Sequence, residues 1–416
     1  MDKTVTKGTM NGSVTPPSSK SYAQRAIAAS LLAEGESVIS GVELCDDTEA
    51  ALRVIQVLGA TVSHPEPGTY LIRGGLHPVS NKLDIGESGL STRLFTPIAA
   101  LWNRPVTVTG HGSILTRPID MMEAPLRDLG VEIKTRKGRL PLTVCGPIHG
   151  GETQVDGTIS SQFLTGLLMA LPLAQSDTTL YVDGLRSIPY IDMTLHTLED
   201  FGISVEHREY AEFYIPGSQR YRPIRYEIEG DWSGASCMLA AGAIAGSVTL
   251  NNLRSVSLQA DVAMIQALSR AGAEIVTTPD SVTVSHRALE AFQFDATNCP
   301  DLFPALAALA ANCNGTSELK GTSRLLHKES NRAETIAEEY GKLGIKVDLS
   351  EPDLMRITGG PIHGAHVWSH HDHRIAMSLA VAALTADEAV TITDAECVAK
   401  SYRDFWDDFE AIHNPA

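Results

Sequence analysis

One pattern recurs along the whole chain and limits its fold more than any other: an amphipathic run closed by glycine and followed by a β-branched strand. It reads Val54-Ile55-Gln56-Val57-Leu58-Gly59-Ala60-Thr61-Val62 and returns around Gly130, Gly202, Gly272 and Gly344, at intervals of about 70 residues. Glycine is expected there if each helix ends on a left-handed residue. Five coincidences at one spacing mark an internal repeat. A second element keeps the same period, an almost wholly apolar helix of small residues followed by a short strand. Its copies are residues 26–33, 94–102, 163–174, 237–245, 302–311 and 375–385, with strands at 37–40, 105–109, 178–182, 247–250, 316–319 and 389–393.

Each unit thus reads strand, apolar helix, strand, amphipathic helix, two-stranded hairpin, a βαβαββ repeat present six times. An all-round apolar helix must be enclosed by protein, whereas an amphipathic one covers a sheet with one face. The sixth unit ends early: residues 402–412 supply its amphipathic helix and no hairpin follows, so the strands around Thr4 to Val14 are expected to complete it and bring the termini together. Six such units exceed one core, and the expected division is three and three, residues 15–228 forming one α/β domain and residues 1–14 with 229–416 the other. The chain then crosses between domains near Thr15 and near Glu229, a natural hinge for closure.

Composition narrows the class of ligand. Hydrophobic residues at 43% and charged residues at 20% are those of a soluble globular protein. A net charge of −17 repels nucleic acid and anionic membrane on average, so an anionic ligand must be drawn by a local cluster of cations. The six cysteines form no CxxC pair, which fits reduced thiols, and no apolar stretch has the length of a membrane span or the place of a signal peptide; a cytoplasmic-type protein is expected.

The polar residues collect where the apolar helices begin. Ser18-Ser19-Lys20-Ser21-Tyr22-Ala23-Gln24-Arg25 presents hydroxyls, two cations and the positive end of a helix dipole. That describes either an anion site or an ordinary capped helix with two solvated cations. Equivalent starts carry Glu87-Ser88-Gly89 with Arg93, Ser160-Ser161-Gln162, Asp231-Trp232-Ser233, Pro300-Asp301, and His371-Asp372-His373-Arg374. Hydroxyls and cations dominate the first three, suiting phosphate and polyols, and carboxylates beside arginine the last three. Arg117-Pro118, Lys328-Glu329-Ser330-Asn331-Arg332 and Ala399-Lys400-Ser401 interrupt apolar context before the amphipathic helices. Arg332 in the first turn of its helix is unfavourably placed unless an anion sits there. His370, His371 and His373 match no common zinc spacing, so no metal site is expected, and Trp232 and Tyr22 read as packing residues.

These motifs occur in the order found in 5-enolpyruvylshikimate-3-phosphate synthases. Eight of them, all but Asp231-Trp232-Ser233, with Pro189-Tyr190-Ile191-Asp192 as a ninth, span nearly the whole chain, and it resembles that family throughout. The resemblance implies the enolpyruvate transferase fold, two inside-out α/β barrel domains closing over substrate in a cytoplasmic monomer. It also implies enolpyruvyl transfer from phosphoenolpyruvate to the 5-hydroxyl of shikimate 3-phosphate, without metal or organic cofactor and with glyphosate as an inhibitor. By position it assigns Lys20, Ser21, Arg25, Ser160, Ser161, Gln162, Ser187, Tyr190, Asp301 and Lys328 to shikimate 3-phosphate. It assigns Lys20, Gly89, Arg117, Gln162, Arg332, Arg374 and Lys400 to phosphoenolpyruvate, with Arg93 supporting the loop. Asp301, Glu329 and Lys20 become the acid/base groups, their individual protons unassigned. The first domain then lies mainly on the shikimate 3-phosphate side, the second on the phosphoenolpyruvate side with the carboxylates.

One departure stands out. Where the family has Asn or Asp, then Ala or Ser, Gly and Thr, this chain has Glu87-Ser88-Gly89-Leu90, which leaves glyphosate sensitivity open. The nearest alternative, UDP-N-acetylglucosamine enolpyruvyl transferase, carries a reactive Cys or Asp on a loop where this chain has Gly110-His111-Gly112-Ser113-Ile114-Leu115. A non-catalytic anion binder on the same scaffold has no need of both Asp301 and Glu329, and an RNA-processing relative is disfavoured by the charge.

Overall fold

Six helices are buried along almost their whole length: Lys20–Leu32, Gly89–Ala99, Ser161–Ala170, Trp232–Ala245, Phe303–Ala311 and His373–Ala382. Alanine, glycine and serine let these helices approach closely, and apolar side chains on every face leave no side for water. Six amphipathic helices alternate with them, Asp46–Val57, Glu123–Asp128, Ile188–Asp200, Met264–Arg270, Arg332–Lys342 and Phe405–Ile412. The computed structural model describes residues 1–416 and resolves them into two compact units, Met1–Pro17 with Glu229–Ala416, and Ser18–Ile228. Three repeats belong to each. No helix is long and apolar enough to cross a membrane, and all six cysteines are free thiols.

The recurrent glycines do what their spacing requires. Gly59, Gly130, Gly202, Gly272 and Gly344 have φ of 114°, 82°, 79°, 91° and 86°. After each, the next residue donates its N–H back five positions: Ala60 to Ile55, Val131 to Leu126, Ile203 to Leu198, Ala273 to Leu268 and Ile345 to Tyr340, at 2.8–3.1 Å. The glycine itself donates back three positions in every case. This paired pattern is the Schellman termination, which satisfies the orphan carbonyls of a helix end and turns the chain into the next strand.

Each repeat builds one small mixed sheet. In four of them a leading strand runs parallel to the strand after the buried helix: Lys82–Asp84 with Val106–Thr109, Gly151–Asp156 with Thr178–Asp183, Gln293–Asp295 with Thr316–Lys320, and His366–Trp368 with Val390–Thr393. In repeats one and four the leading strands are exchanged. Gly8–Val14 precedes the first buried helix in sequence, yet it pairs with Gly246–Asn251 of repeat four. Arg225–Glu227 precedes the fourth buried helix and pairs with Glu36–Ser40 of repeat one. Completion of the sixth repeat also differs from expectation: only Asp2–Val5 joins its sheet, antiparallel to Val390–Thr393, while Gly8–Val14 belongs to repeat four and takes His413–Pro415 as its edge partner.

Close helix contact is testable at two glycines with opposite signs. A Cβ on Gly166 would lie 2.2 Å from the Arg93 carbonyl oxygen, whereas Gly341 has nothing within 4 Å of that position. Gly166→Ala is expected to destabilise by roughly 1–3 kcal/mol through overpacking. Gly341→Ala, which only lowers unfolded-chain entropy inside Arg332–Lys342, is expected to stabilise by about 0.5 kcal/mol. Urea unfolding followed by circular dichroism measures both.

Candidate active site

The buried helices of the first three repeats start from serine caps. Ser88 Oγ accepts from Ser91 N at 3.2 Å and Ser160 Oγ from Gln162 N at 3.2 Å, while Ser19 Oγ lies 3.5 Å from Tyr22 N. Arg25, one turn into its helix and buried, makes four hydrogen bonds: Nε to Thr194 Oγ1 at 2.9 Å, Nη1 to the Ser21 carbonyl at 2.8 Å, and Nη2 to the Tyr190 carbonyl at 2.9 Å and Thr165 Oγ1 at 3.3 Å. It therefore locks Ser21 and Tyr190 into one cluster. Burial pulls its pKa down to about 10, and the guanidinium is still charged at neutral pH. Ser161 opens its helix in a buried position, and Ser187 is buried with a left-handed φ of 59° immediately before Ile188–Asp200. Lys20 is drawn to Asp47, Nζ to Oδ2 at 2.9 Å.

A second cluster forms around Arg93. Its Nη1 donates to the Gly89 carbonyl at 3.1 Å and Gln162 Oε1 at 3.2 Å, and its Nη2 to the Pro118 carbonyl at 2.9 Å. Gly89 leaves room for Arg117: a Cβ there would lie 2.5 Å from Arg117 Nη1. Gly89, Arg93, Arg117 and Gln162 thus share one neighbourhood. Glu87, two residues before Gly89, accepts from Ser113 N at 3.3 Å and Ser113 Oγ at 3.1 Å.

In the other unit aspartates replace the serine caps. Asp231 Oδ1 accepts from Ser233 N at 2.9 Å, and Asp372 Oδ1 from Arg374 N at 3.0 Å. Repeat five is the exception. Pro300–Leu302 is a turn of 3-10 helix ahead of Phe303–Ala311, which has no side-chain cap. The Asp301 carboxylate instead accepts on Oδ1 from Lys328 Nζ at 3.0 Å and Arg332 Nη1 at 2.7 Å, with Arg374 Nη2 at 3.9 Å from Oδ2. Arg332 also donates through Nη2 to Glu329 Oε2 at 2.7 Å and through Nε to Asp372 Oδ2 at 2.8 Å. Lys400 Nζ lies 3.9 Å from Glu329 Oε1. Six of the expected residues, Asp301, Lys328, Glu329, Arg332, Arg374 and Lys400, therefore meet in one network. The anions that excuse Arg332 from its unfavourable helix position are the chain's own carboxylates.

Charge balance decides the protonation states. Burial alone would raise the Asp301 carboxyl, but Lys328, Arg374 and Arg332 outweigh it and hold it well below the usual range. Arg332, whose burial disfavours charge, is held firmly protonated by Asp372, Glu329 and Asp301. Burial lowers Lys328, with Asp301 opposing. Behind them Asp261 is 3% exposed, its Oδ1 has no hydrogen-bond partner, and burial followed by repulsion from Asp301 pushes its carboxyl up to about 7. The arrangement provides an ionised carboxylate, a second carboxylate and several cations within one charged layer, the parts needed to bind an anion and move protons beside it.

The histidines do not converge. His370 Nε2 meets Glu339 Oε1 at 2.7 Å, and His371 Nδ1 meets Asp394 Oδ2 at 2.5 Å. Glu338, Glu339 and His370 have ligand atoms within 4.8 Å of one another, but Lys342 Nζ already pairs with both carboxylates, at 3.2 and 2.7 Å. Sequence reasoning passed over Asp47 and Asp261. Asp47 stands among Asp46, Asp47 and Glu49 in one first turn, where any acid complements the helix dipole, so nothing local singles it out.

The EPSP synthase (3-phosphoshikimate 1-carboxyvinyltransferase) family model matches residues 5–409. The 3-phosphoshikimate 1-carboxyvinyltransferase of Clostridium botulinum is 35% identical over 417 residues, 97% of this chain and 96% of that protein. The enzyme of that name from Clostridium beijerinckii is 35% identical over 418 residues, with the same coverage. Among solved structures, EPSP synthase from Acinetobacter baumannii superposes with a TM-score of 0.83 at 26% identity, covering 100% of this chain and 98% of that one. The enolpyruvyl transferase NikO from Streptomyces tendae, at 17% identity, shares the fold with a TM-score of 0.78, covering 99% of this chain and 97% of its own. With the family pattern running from residue 5 to 409, the chain belongs to the EPSP synthase family.

Proposed function

We propose that this chain transfers the enolpyruvyl group of phosphoenolpyruvate to the 5-hydroxyl of shikimate 3-phosphate, releasing phosphate, as a cytoplasmic monomer. Membership of the family supports the reaction. The single structural observation that carries its chemistry is the network in which Arg332 holds Asp301 at 2.7 Å and Glu329 at 2.7 Å with Lys328, Arg374 and Lys400 around them.

The reaction dictates these residue types. Addition of the hydroxyl to the central enol carbon removes a proton from oxygen and delivers one to the methylene; elimination then takes a proton back from the resulting methyl group as the C–O bond to phosphate breaks, and a proton can be given to the departing phosphate. In this reading Asp301, Glu329 and Lys20 divide the proton transfers, a contribution of about 10²–10⁴ in rate for each well-placed group. Lys20, Gly89, Arg117, Gln162, Arg332, Arg374 and Lys400 receive phosphoenolpyruvate, where guanidinium forks suit its carboxylate and phosphate. Ser21, Arg25, Ser160, Ser161, Gln162, Ser187 and Tyr190, with Lys20, Asp301 and Lys328, receive shikimate 3-phosphate. Arg25 supports that role by fixing Ser21 and Tyr190, and Ser160 by capping the helix that carries Gln162.

Phosphate release by the purified protein tests the reading. Release is expected with phosphoenolpyruvate plus shikimate 3-phosphate, none with UDP-N-acetylglucosamine as acceptor, and a fall of roughly 10²–10⁴ in Glu329→Gln. Release with the sugar nucleotide, or an undiminished Glu329→Gln rate, overturns it. A second expectation concerns Leu90, 8% exposed and the residue after Gly89 in the helix that meets Arg117. In this reading its bulk, in place of the family's threonine, reshapes the pocket that this loop borders. Leu90→Thr is therefore expected to lower the half-inhibitory glyphosate concentration by roughly tenfold or more; equal inhibition of the two proteins counts against this role.

A further inference from the structure

Arg332 is held by three carboxylates, and the three are not equivalent. Asp372 occupies one edge of the guanidinium, accepting from Nε at 2.8 Å on Oδ2 and from Nη2 at 3.3 Å on Oδ1. Its oxygens are further tied by the Ser330 hydroxyl at 3.1 Å and the Arg374 amide at 3.0 Å, and the side chain is completely buried. Asp301 and Glu329 take the other edge, one N–H each, Nη1 to Asp301 at 2.7 Å and Nη2 to Glu329 at 2.7 Å. Two oxygens on that edge reproduce the way one carboxylate or phosphoryl group engages an arginine fork.

The second partners of each acid differ in the same sense. Glu329 has Lys400 at 3.9 Å, and Asp301 has Lys328 at 3.0 Å and Arg374 at 3.9 Å, so each keeps a cation if it leaves Arg332. Asp372 has besides only the Ser330 hydroxyl, the Arg374 amide and, at 3.9 Å, the ring of His373, a cation only when protonated, so leaving Arg332 would take it from the one permanent positive charge bonded to it in a fully buried place, which is strongly unfavourable. Their side chains differ accordingly in exposure, 22% for Asp301 and 12% for Glu329 against 0% for Asp372.

We propose that Asp372 is a positioning residue, the permanent counter-ion that holds the Arg332 fork in place, and that Asp301 and Glu329 are exchangeable counter-ions which yield the outer edge to an incoming anionic donor. The inference rests on the proposed function, since it takes the donor to be phosphoenolpyruvate. It links two events: engagement of the donor by Arg332 detaches the two carboxylates that must then move protons, so the acid/base pair is released only when the donor is present. Asp372 acts through Arg332, through the Arg374 amide and through Ser330, the neighbour of Glu329.

Removing a permanent and an exchangeable counter-ion shifts donor affinity in opposite directions, which a merely structural role for both does not do. Calorimetric titration of phosphoenolpyruvate, without acceptor, into wild type, Asp372→Asn and Glu329→Gln reads this out. Asp372→Asn keeps a good helix cap and is expected to weaken binding roughly 30-fold or more, as for loss of one member of a buried charge pair. Glu329→Gln is expected to tighten it roughly tenfold, because one like charge beside the donor is gone. Unchanged affinity in an Asp372→Asn protein with a native melting transition overturns the positioning role, and weaker binding by Glu329→Gln overturns the exchange. Should Asp372→Asn fail to fold, the Glu329→Gln arm decides. A wild type that binds but breaks either expectation sinks this inference alone; a wild type that does not bind phosphoenolpyruvate sinks the functional reading with it.

Discussion

A helix that is apolar on every side must be enclosed by protein, and this chain contains six of them. No single repeat can supply the enclosure, because its small sheet and its one amphipathic helix cover only part of such a surface. The buried helices must therefore be packed with others of their kind, and alanine, glycine and serine allow the backbones to approach as closely as Gly166 approaches the Arg93 carbonyl. Each fully buried leucine, isoleucine or phenylalanine contributes about 1.5–3 kcal/mol against leaving it exposed. The exchange of leading strands follows the same logic. Gly8–Val14 and Arg225–Glu227 each complete a sheet in their own unit, so each unit closes on its own segments although the chain passes from one to the other and back.

Enclosing the helices leaves their first turns as the places where buried polar groups are unavoidable. Amides there have no partner inside the helix, and the chain satisfies them with side chains: serine at Ser19, Ser88 and Ser160, aspartate at Asp231 and Asp372. Polar residues are thus concentrated at equivalent positions of a repeated fold for a structural reason before any ligand is considered. Repeat five shows how such a position becomes chemical. With Pro300 at the start of its 3-10 turn, Asp301 caps nothing, and its carboxylate turns to Lys328 and Arg332. In the same way a chain of net charge −17 presents strongly cationic ground locally, since each cation of that network stands beside a carboxylate that offsets the cost of burying it.

Periodic features were legible in the sequence because their causes are local. A Schellman end needs a glycine at a fixed offset from an amphipathic run, and an enclosed helix needs apolar residues throughout; both leave marks within a dozen residues. Strand exchange leaves none. The alternation in Gly8–Val14 says that one face is buried but not that its partner lies at Gly246–Asn251, more than two hundred positions away. For the same reason the completion of the sixth repeat was legible only in part, with Asp2–Val5 alone serving it. In the site, Arg332 announced itself as a cation in a first turn, and the motifs placed most of its partners. Asp47 did not, because an acid in a first turn already has a sufficient local explanation, and its pairing with Lys20 at 2.9 Å depends on tertiary packing.

The division between enclosing helices and charged helix starts also explains why so costly a network persists. A fully buried arginine with three carboxylates is poor evidence for stability: apolar replacements of buried ion clusters are often neutral or stabilising by about 1–4 kcal/mol, while loss of one partner costs about 3–5 kcal/mol. Arg332, Asp301, Glu329 and Asp372 are therefore held together by mutual necessity, not by any net contribution to the fold. The apolar helices carry stability, which leaves the charged layer to be set by chemistry, as functional sites in stable scaffolds generally are. An arginine with one edge bonded to a buried aspartate and the other to two partly exposed acids is costly as architecture, but in the proposed reading it keeps a pre-oriented fork ready for an anion.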